Sequence, residues 1–306
     1  MQIKLGLKIN DLEKFIFELI RQAVIYLPED VKSSLNGAVV SETSQIGKAQ
    51  LEAILKNVNL AEKNQVPICQ DTGTLTFFLK AGNKFKGLDE VEQSIFNATR
   101  FATEKIPLRP NAVNPFNQKN TGDNTGRFVP IIHWEIVSGE NLEITVLAKG
   151  GGSENVSSLG MLSPADGLVG IKRFVLNAII EAGAKPCPPT VVGVGLGGGA
   201  DQAMILAKKA LLRPLDEKNF DPQVARIERE ILSAANTTDI GPMGLGGRNT
   251  VMAVHLEYAY RHPASLPVAV AFSCWALRRA SAKINSDGKI LYLTHKPKVG
   301  DSNACL

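Results

Sequence analysis

Residues 129–150 read VPIIHWEIVSGENLEITVLAKG, two runs rich in β-branched and aromatic residues separated by Ser138, Gly139 and Glu140. Both runs fit strands, and the short polar break between them predicts an antiparallel hairpin. Upstream the period changes. From Asp11 to Leu27 the residues Leu12, Phe15, Ile16, Leu19, Ile20 and Ala23 recur at helical spacing, and the segment stops before Pro28. A second helix is expected over 44–64, with Ile46, Ala49, Leu51, Ile54 and Leu55 facing inward, and a third over 88–104. Downstream of the hairpin the sequence predicts a helix near 165–182, a strand at TVVGVG (190–195), helices around 202–212 and 222–235, and extended segments from 250 to 293. Helices and strands come in blocks rather than in strict alternation. The chain therefore reads as α+β, a helical N-terminal part packed with a mainly antiparallel β-sheet. It is taken as one domain over 1–306, with a helical subregion over 1–105, and it shows no internal repeat.

Composition narrows the function. With 306 residues, 44% hydrophobic and 21% charged, the chain can bury a large core. Lys plus Arg (34) nearly balance Asp plus Glu (30), like charges do not run together, and aromatic residues are 6%, so no nucleic-acid groove is expected. The N-terminal MQIKLGLKINDLEKF lacks an apolar signal core, and no stretch reaches bilayer length, so a cytoplasmic protein without membrane association is expected. Few, widely spaced cysteines fit a reducing compartment, where thiolates stay available for metal.

Three of those cysteines stand in short Pro, Gly or polar contexts: Cys69 in PICQDTGT, Cys187 in AKPCPPT and Cys274 in AFSCWALRR. A cysteine alone is often a small buried apolar side chain. Three of them in such contexts suggest thiolates brought together by folding. A metal centre with three cysteine ligands keeps a coordination position for substrate. The sequence has no C-x-x-C pair, which removes local support for zinc ribbons, thioredoxin-like sites and ferredoxin-type binding. A structural zinc site remains a competing reading of the same residues. Cys305, in the C-terminal VGDSNACL, reads as a bystander.

Glycine clusters form a second set of signals. Gly193, Gly195 and Gly198 make G-x-G-x-x-G between a strand and a helix, with Asp216 and Glu217 roughly 20 residues on, as in a dinucleotide-binding turn. Against a nucleotide-binding module, PCPP introduces the strand and the neighbouring elements do not continue as βαβ. The favoured reading is a loop that passes close to a bound anion or cluster. Gly150, Gly151 and Gly152 before Ser153, Glu154 and Asn155, and Gly241, Gly244, Gly246 and Gly247 around Pro242 and Met243, are likewise read as loops whose amides converge on an anion.

Taken together, CQDTGT around Cys69, PLRPNAV around Arg109, KGGGSEN around Gly151, PCPPTVVGVGLGG after Cys187 and RHPASLPVAVAFSCWALRR around His262 and Cys274 resemble the iron-sulfur hydro-lyase family that includes class I fumarases and L-tartrate dehydratases. The similarity spans nearly the whole chain in order and approximate spacing. It implies a cluster-binding domain of class I fumarase type. It also implies that Cys69, Cys187 and Cys274 each bind one iron of a [4Fe-4S] cluster, leaving one iron not bound by cysteine.

Further roles follow from the same resemblance. Arg109 would clamp a substrate carboxylate, Gln70 and Asp71 would lie near the cluster, Gly151 would offer a backbone amide, and His262 would face the substrate, with Asp71 and His262 the catalytic candidates. His133 and His255, in apolar strand contexts, read as structural, and His295 as a surface residue. The chain resembles the α subunit of the two-subunit form, so a β subunit that completes the active site and supplies the base is implied, with an α2β2 assembly. The implied reaction is hydration of fumarate to L-malate, favoured by GGGSEN over dehydration of L-tartrate to oxaloacetate.

Overall fold

The structure, a computed structural model, describes residues 9–295, so that Cys305 lies outside the described residues. Its helices are α1 (Ile9–Ile25), α2 (Glu29–Ser41), α3 (Gln45–Asn64), α4 (Val91–Lys105), the single-turn α5 (Gly151–Glu154), α6 (Gly167–Ala182), α7 (Ala200–Ala210) and α8 (Pro222–Ala235). The strands are β1 (Thr74–Gly82), β2 (Ile131–Val137), β3 (Leu142–Lys149), β4 (Ser158–Leu162), β5 (Thr190–Leu196), β6 (Val251–Tyr258), β7 (Leu266–Ser273), β8 (Arg279–Ile284) and β9 (Ile290–Tyr292). The α+β class expected from the sequence is what forms. Two compact units share the chain: the first takes the described parts of 1–29, 58–149 and 278–306, the second 30–57 and 150–277. The helices of residues 1–105 are thus divided between both, with the boundary inside α3.

The first unit is built on a five-stranded sheet in the order β2-β1-β3-β8-β9. Helix α1 turns Phe15, Ile16, Leu19, Ile20 and Ala23 toward it, as their spacing predicts, and α4 adds Ile95, Ala98 and Ala102. These meet Leu75, Phe77 and Leu79 of β1, Ile144 and Val146 of β3, and Ala280 and Ala282 of β8 in one buried core. Truncating a fully buried side chain such as Phe77 would cost about 3–5 kcal/mol.

The predicted hairpin of the opening stretch does not exist. Strands β2 and β3 form where expected, yet β1 lies between them, parallel to β2 with Phe77 opposite Ile132 and antiparallel to β3 with Phe77 opposite Val146. Burial explains the order. Leu75, Phe77, Phe78 and Leu79 are buried on both faces of β1, which requires a central position, whereas Trp134, Glu135 and Ile136 are exposed on β2, which suits an edge. Gly82 closes the slot. Its amide donates to the Asn141 carbonyl, and a Cβ there would stand 2.4 Å from the Gly139 carbonyl oxygen. The β1 segment TLTFFLKAG carries no sequence signal of its own, because a short apolar run has neither a helical nor a sustained alternating signature.

The second unit holds a four-stranded sheet in the order β4-β7-β5-β6. Its core joins Val192, Val194, Val254, Leu256, Val268, Val270 and Phe272 to Val175, Ile179, Ile227 and Ile231 of α6 and α8. Pairings are antiparallel throughout both sheets except β1 with β2 and β5 with β6. The chain leaves β5, forms α7 and α8, and returns as the parallel β6, a crossover that the block reading did not anticipate. On α3 the buried stripe is Leu51, Ile54, Val58 and Ala61; Ile46 and Ala49, expected inside, are exposed off that stripe.

Candidate functional site

In the first unit, Cys69 sits half-buried in the turn between α3 and β1, where the Ile68 amide donates to the Val24 carbonyl at 3.0 Å. The residues after it form a tightly tied loop. The Asp71 carboxylate accepts from the Gly73 amide through Oδ1 at 3.0 Å, and the Asp71 carbonyl accepts from Arg278 Nη1 at 2.6 Å. Thr72 Oγ1 accepts from the Arg109 amide at 3.0 Å, and Asn111 Nδ2 donates to the Gly73 carbonyl at 3.1 Å. Asn124 holds the other side, accepting from the Asn111 amide and donating to the Arg109 carbonyl.

The structure thus brings the Arg109 backbone onto the loop that follows Cys69. The Arg109 guanidinium is exposed and makes no ion pair or hydrogen bond with any described residue. An arginine meant only for surface pairing would have an acid beside it. A rigid loop presenting an unpaired guanidinium suits bidentate capture of a carboxylate. Gln70 is exposed and Asp71 half-buried on the same loop.

In the second unit, Cys187 and Cys274 come onto neighbouring backbone. Cys187 follows α6 in a turn closed by its amide on the Ala184 carbonyl, with φ at 54°, and Cys274 directly follows β7. The Trp275 amide donates to the Cys187 carbonyl at 3.2 Å. On its other side the Cys187 turn is tied by the Met243 amide, which donates to the Pro188 carbonyl at 2.8 Å. Both thiols are half-buried, and Cys274 Sγ lies 3.6 Å from the Ala276 carbonyl oxygen.

The glycine-rich 241–247 loop and the residues just after it do meet anions, but these belong to the chain itself: the Gly247 amide donates to Asp239 Oδ1 at 2.9 Å. The carboxylate of Glu42, just beyond α2, accepts from the amides of Thr43, Ser44, Arg248 and Asn249 and from Asn249 Nδ2. Burial pushes its pKa up, but the donors from Ser44, Arg248 and Asn249 outweigh that and bring it down to about 2. Gly247 is required by this packing, because a Cβ there would meet Glu42 Oε1 at 2.6 Å. The sequence reading had no signal for Glu42, which lies more than 200 residues from Arg248 and Asn249.

The G-x-G-x-x-G turn is also accounted for internally. A Cβ at Gly193 would stand 2.0 Å from the Ala207 carbonyl oxygen, and one at Gly195 1.9 Å from that of Ala203, so these glycines let α7 lie directly on β5. The amides of Gly197 and Gly198 donate to the carbonyls of Pro267 and Tyr260. Two of the amides in the turn are thus engaged by the chain itself, and close helix packing is reason enough for the first two glycines. Asp216 and Glu217 are exposed.

His262 stands exposed in the loop between β6 and β7, where Nδ1 accepts from the Ala264 amide at 3.1 Å. In the neutral ring that fixes the proton on Nε2, the nitrogen that can then donate to an incoming carboxylate. Arg261 bonds the carbonyls of His262, Pro263 and Ser265 and holds this loop in shape. Gly151 is exposed at the start of α5, which Ser153 Oγ braces on the Gly150 carbonyl and Lys208 anchors through Glu154 at 2.6 Å. His255 is buried with Nδ1 3.1 Å from the Ala210 carbonyl, and His133 stacks on Phe78 at 4.9 Å. His295 differs from its surface reading: it is half-buried, with Nε2 3.2 Å from the Tyr26 carbonyl.

Whether these residues suit an iron-sulfur group turns on their donors. Among the described residues no group of three or more His, Cys, Asp and Glu is placed to hold a metal ion. Yet Cys69, Cys187 and Cys274 are half-buried thiols outside any disulfide, two of them on joined backbone, and thiolates are the ligands that iron-sulfur clusters take. The donor set fits. Sequence reasoning missed Arg278, which is 1% exposed and whose only signal was an arginine following the apolar WAL.

Comparison with known proteins adds a separate line. A family model described as "Fumarate hydratase (Fumerase)" matches residues 13–283. The "Putative L(+)-tartrate dehydratase subunit alpha" of Methanocaldococcus jannaschii is 47% identical over 288 residues, covering 93% of this chain and 100% of that protein. The L(+)-tartrate dehydratase subunit alpha of Escherichia coli strain UTI89 is 37% identical over 288 residues, and that of strain K12 is 36% identical; each match covers 94% of this chain and 95% of the relative.

Proposed function

Because the chain belongs to the fumarate hydratase (Fumerase) family, we propose that it is the cluster-binding α subunit of a hydro-lyase that reversibly hydrates fumarate to L-malate. The observation that carries the substrate class is Arg109: an exposed guanidinium with no partner among the described residues, on backbone bolted to the CQDTGT loop and suited to a carboxylate. Cys69, Cys187 and Cys274 would hold a [4Fe-4S] cluster with one iron outside the cysteine set. When bound, that group supplies a Lewis acid for the water or hydroxyl oxygen.

The chain's own residues do the rest. Arg109 binds one substrate carboxylate, and the Gln70 amide and the Gly151 backbone orient it. His262 donates through Nε2 to a carboxylate oxygen, in the tautomer that its bond from Ala264 fixes. Asp71, oriented by the Gly73 amide, handles a proton close to the reacting carbons. Hydroxyl adds to one alkene carbon and a proton to the other, with no redox change.

A second reading, dehydration of L-tartrate to oxaloacetate, is favoured by the names of the relatives. The two substrates differ in hydroxyl content, which a few polar contacts discriminate. The same names speak of a subunit alpha, which supports a β subunit that completes the site and supplies the base, in an α2β2 assembly. The free thiols of Cys69, Cys187 and Cys274 suit the reducing cytoplasm, and among the described residues no helix is long and apolar enough to cross a membrane.

The test is iron and acid-labile sulfide on anaerobically purified chain co-expressed with its partner, followed by fumarate and L-tartrate assays side by side. About four irons per chain with faster turnover of fumarate supports the proposal. Faster turnover of L-tartrate selects the second reading, and a chain that takes up no iron on reconstitution sinks the cluster assignment.

A further inference from the structure

Arg278 is among the most deeply buried side chains of the first unit, 1% exposed, and no described acid pairs with it. Among the described residues its one hydrogen bond runs from Nη1 to the Asp71 carbonyl at 2.6 Å, and its buried Nε has no partner there. Arg213 of the second unit shows the usual solution, since its guanidinium is shared between Glu228 and Glu257. A buried guanidinium whose donors end on a single carbonyl is an uncompensated charge, and a protein keeps such a charge where something anionic joins it. The loop it touches carries Cys69 two residues before Asp71, and the Asp71 carboxylate accepts from the Gly73 amide, with no ion pair to Arg278.

We infer that Arg278 is the fixed counter-charge of the metal-bound thiolate at Cys69, holding the Cys69–Gly73 loop in its ligand-bearing form through the Asp71 carbonyl. This rests on the cluster reading above and adds to it a residue that is not a ligand. Arg278 positions: it touches neither substrate nor iron. Thiolates bound to iron keep their negative charge, and a guanidinium in a site closed to water offsets that charge strongly.

The inference separates from an ordinary structural role by sign. If Arg278 merely holds the fold, Arg278→Gln lowers the melting temperature of the metal-free chain. If it waits for an anion, the neutral side chain leaves that melting temperature equal or higher, because a buried unpaired charge has gone, and the loss falls on metal retention instead. The experiment uses the chain co-purified with its partner, reconstituted anaerobically, with iron release to a chelator followed at 420 nm. Arg278→Gln should lose iron about tenfold faster than wild type, while Arg278→Lys, which keeps the charge, should stay near wild type. Iron retention unchanged in Arg278→Gln overturns the inference. So does a metal-free Arg278→Gln chain that melts earlier or fails to fold, or equal iron loss in the Gln and Lys variants. A wild-type chain that takes up no iron would instead overturn the cluster assignment beneath it.

Discussion

The Trp275 amide donates to the Cys187 carbonyl at 3.2 Å, joining the turn after α6 to the end of β7 by main chain alone. Because that bond does not use either thiol, replacing the sulfur leaves it in place. Cys187→Ser and Cys274→Ser are expected to fold, to melt like wild type without metal, and to retain less than about a tenth of the iron after reconstitution. Cys69→Ser should behave alike and Cys305→Ser should not, as iron and sulfide analysis of the four variants will show.

Arg109 offers a guanidinium from a loop whose backbone is held by Thr72 and Asn124. Arg109→Lys keeps charge but loses the planar fork, and should raise KM for the dicarboxylate about tenfold; Arg109→Met should raise it about a hundredfold. Iron content should not change in either, which steady-state kinetics beside metal analysis will check.

At His262, an asparagine can still accept the Ala264 amide in place of Nδ1 but has nothing at the position of Nε2. His262→Asn should therefore keep the wild-type melting curve and lower kcat about a hundredfold. A drop in stability matching the drop in rate would show that the histidine serves only its loop.

Glu42 makes a prediction about acid. Its carboxyl, lowered from 4.5 to about 2, is held ionised by the amides around it, so its contribution to stability is complete above pH 4.5 and is lost as pH falls toward 2. Glu42→Gln should be less stable at pH 7 by about 2 kcal/mol, and its stability should change less between pH 4.5 and 2 than that of wild type. Urea melts across that range measure both.

For the glycine turn, Gly195→Ala forces a Cβ against the Ala203 carbonyl and should destabilise the chain by about 3 kcal/mol or more. NAD or ATP at millimolar concentration should leave the wild-type melting temperature where it is. A shift with either nucleotide would restore the binding reading of the motif.

What the sequence disclosed depended on how far apart the partners lie. Helices α1 and α8 were plain because their apolar stripes and Pro boundaries are local, and α8 begins at the Pro222 expected. Strand β1 was hidden because its meaning, a central slot, is written in residues 131–149, not in its own. The cysteines and Arg109 stood out by their Pro and Gly surroundings. Glu42 and Arg278 did not, because an acid after a helix and an arginine after an apolar run look ordinary until their distant partners are known. The G-x-G-x-x-G spacing misled in the opposite direction, since close helix packing and phosphate approach both ask for the absence of a Cβ.

The position of β1 also orders the chain's assembly in time. Strands β2 and β3 are separated only by residues 138–141, so closing them on each other is the shortest loop the sheet offers and the cheapest in chain entropy. The native sheet forbids that pairing, since β1 must occupy the space between them and arrives from some fifty residues earlier. A newly made chain that zips the near pair first must reopen it before Phe77 can reach the core. The loop that begins at Cys69 leads directly into β1, so the segment proposed to carry a metal ligand takes its place only once β1 has entered the sheet.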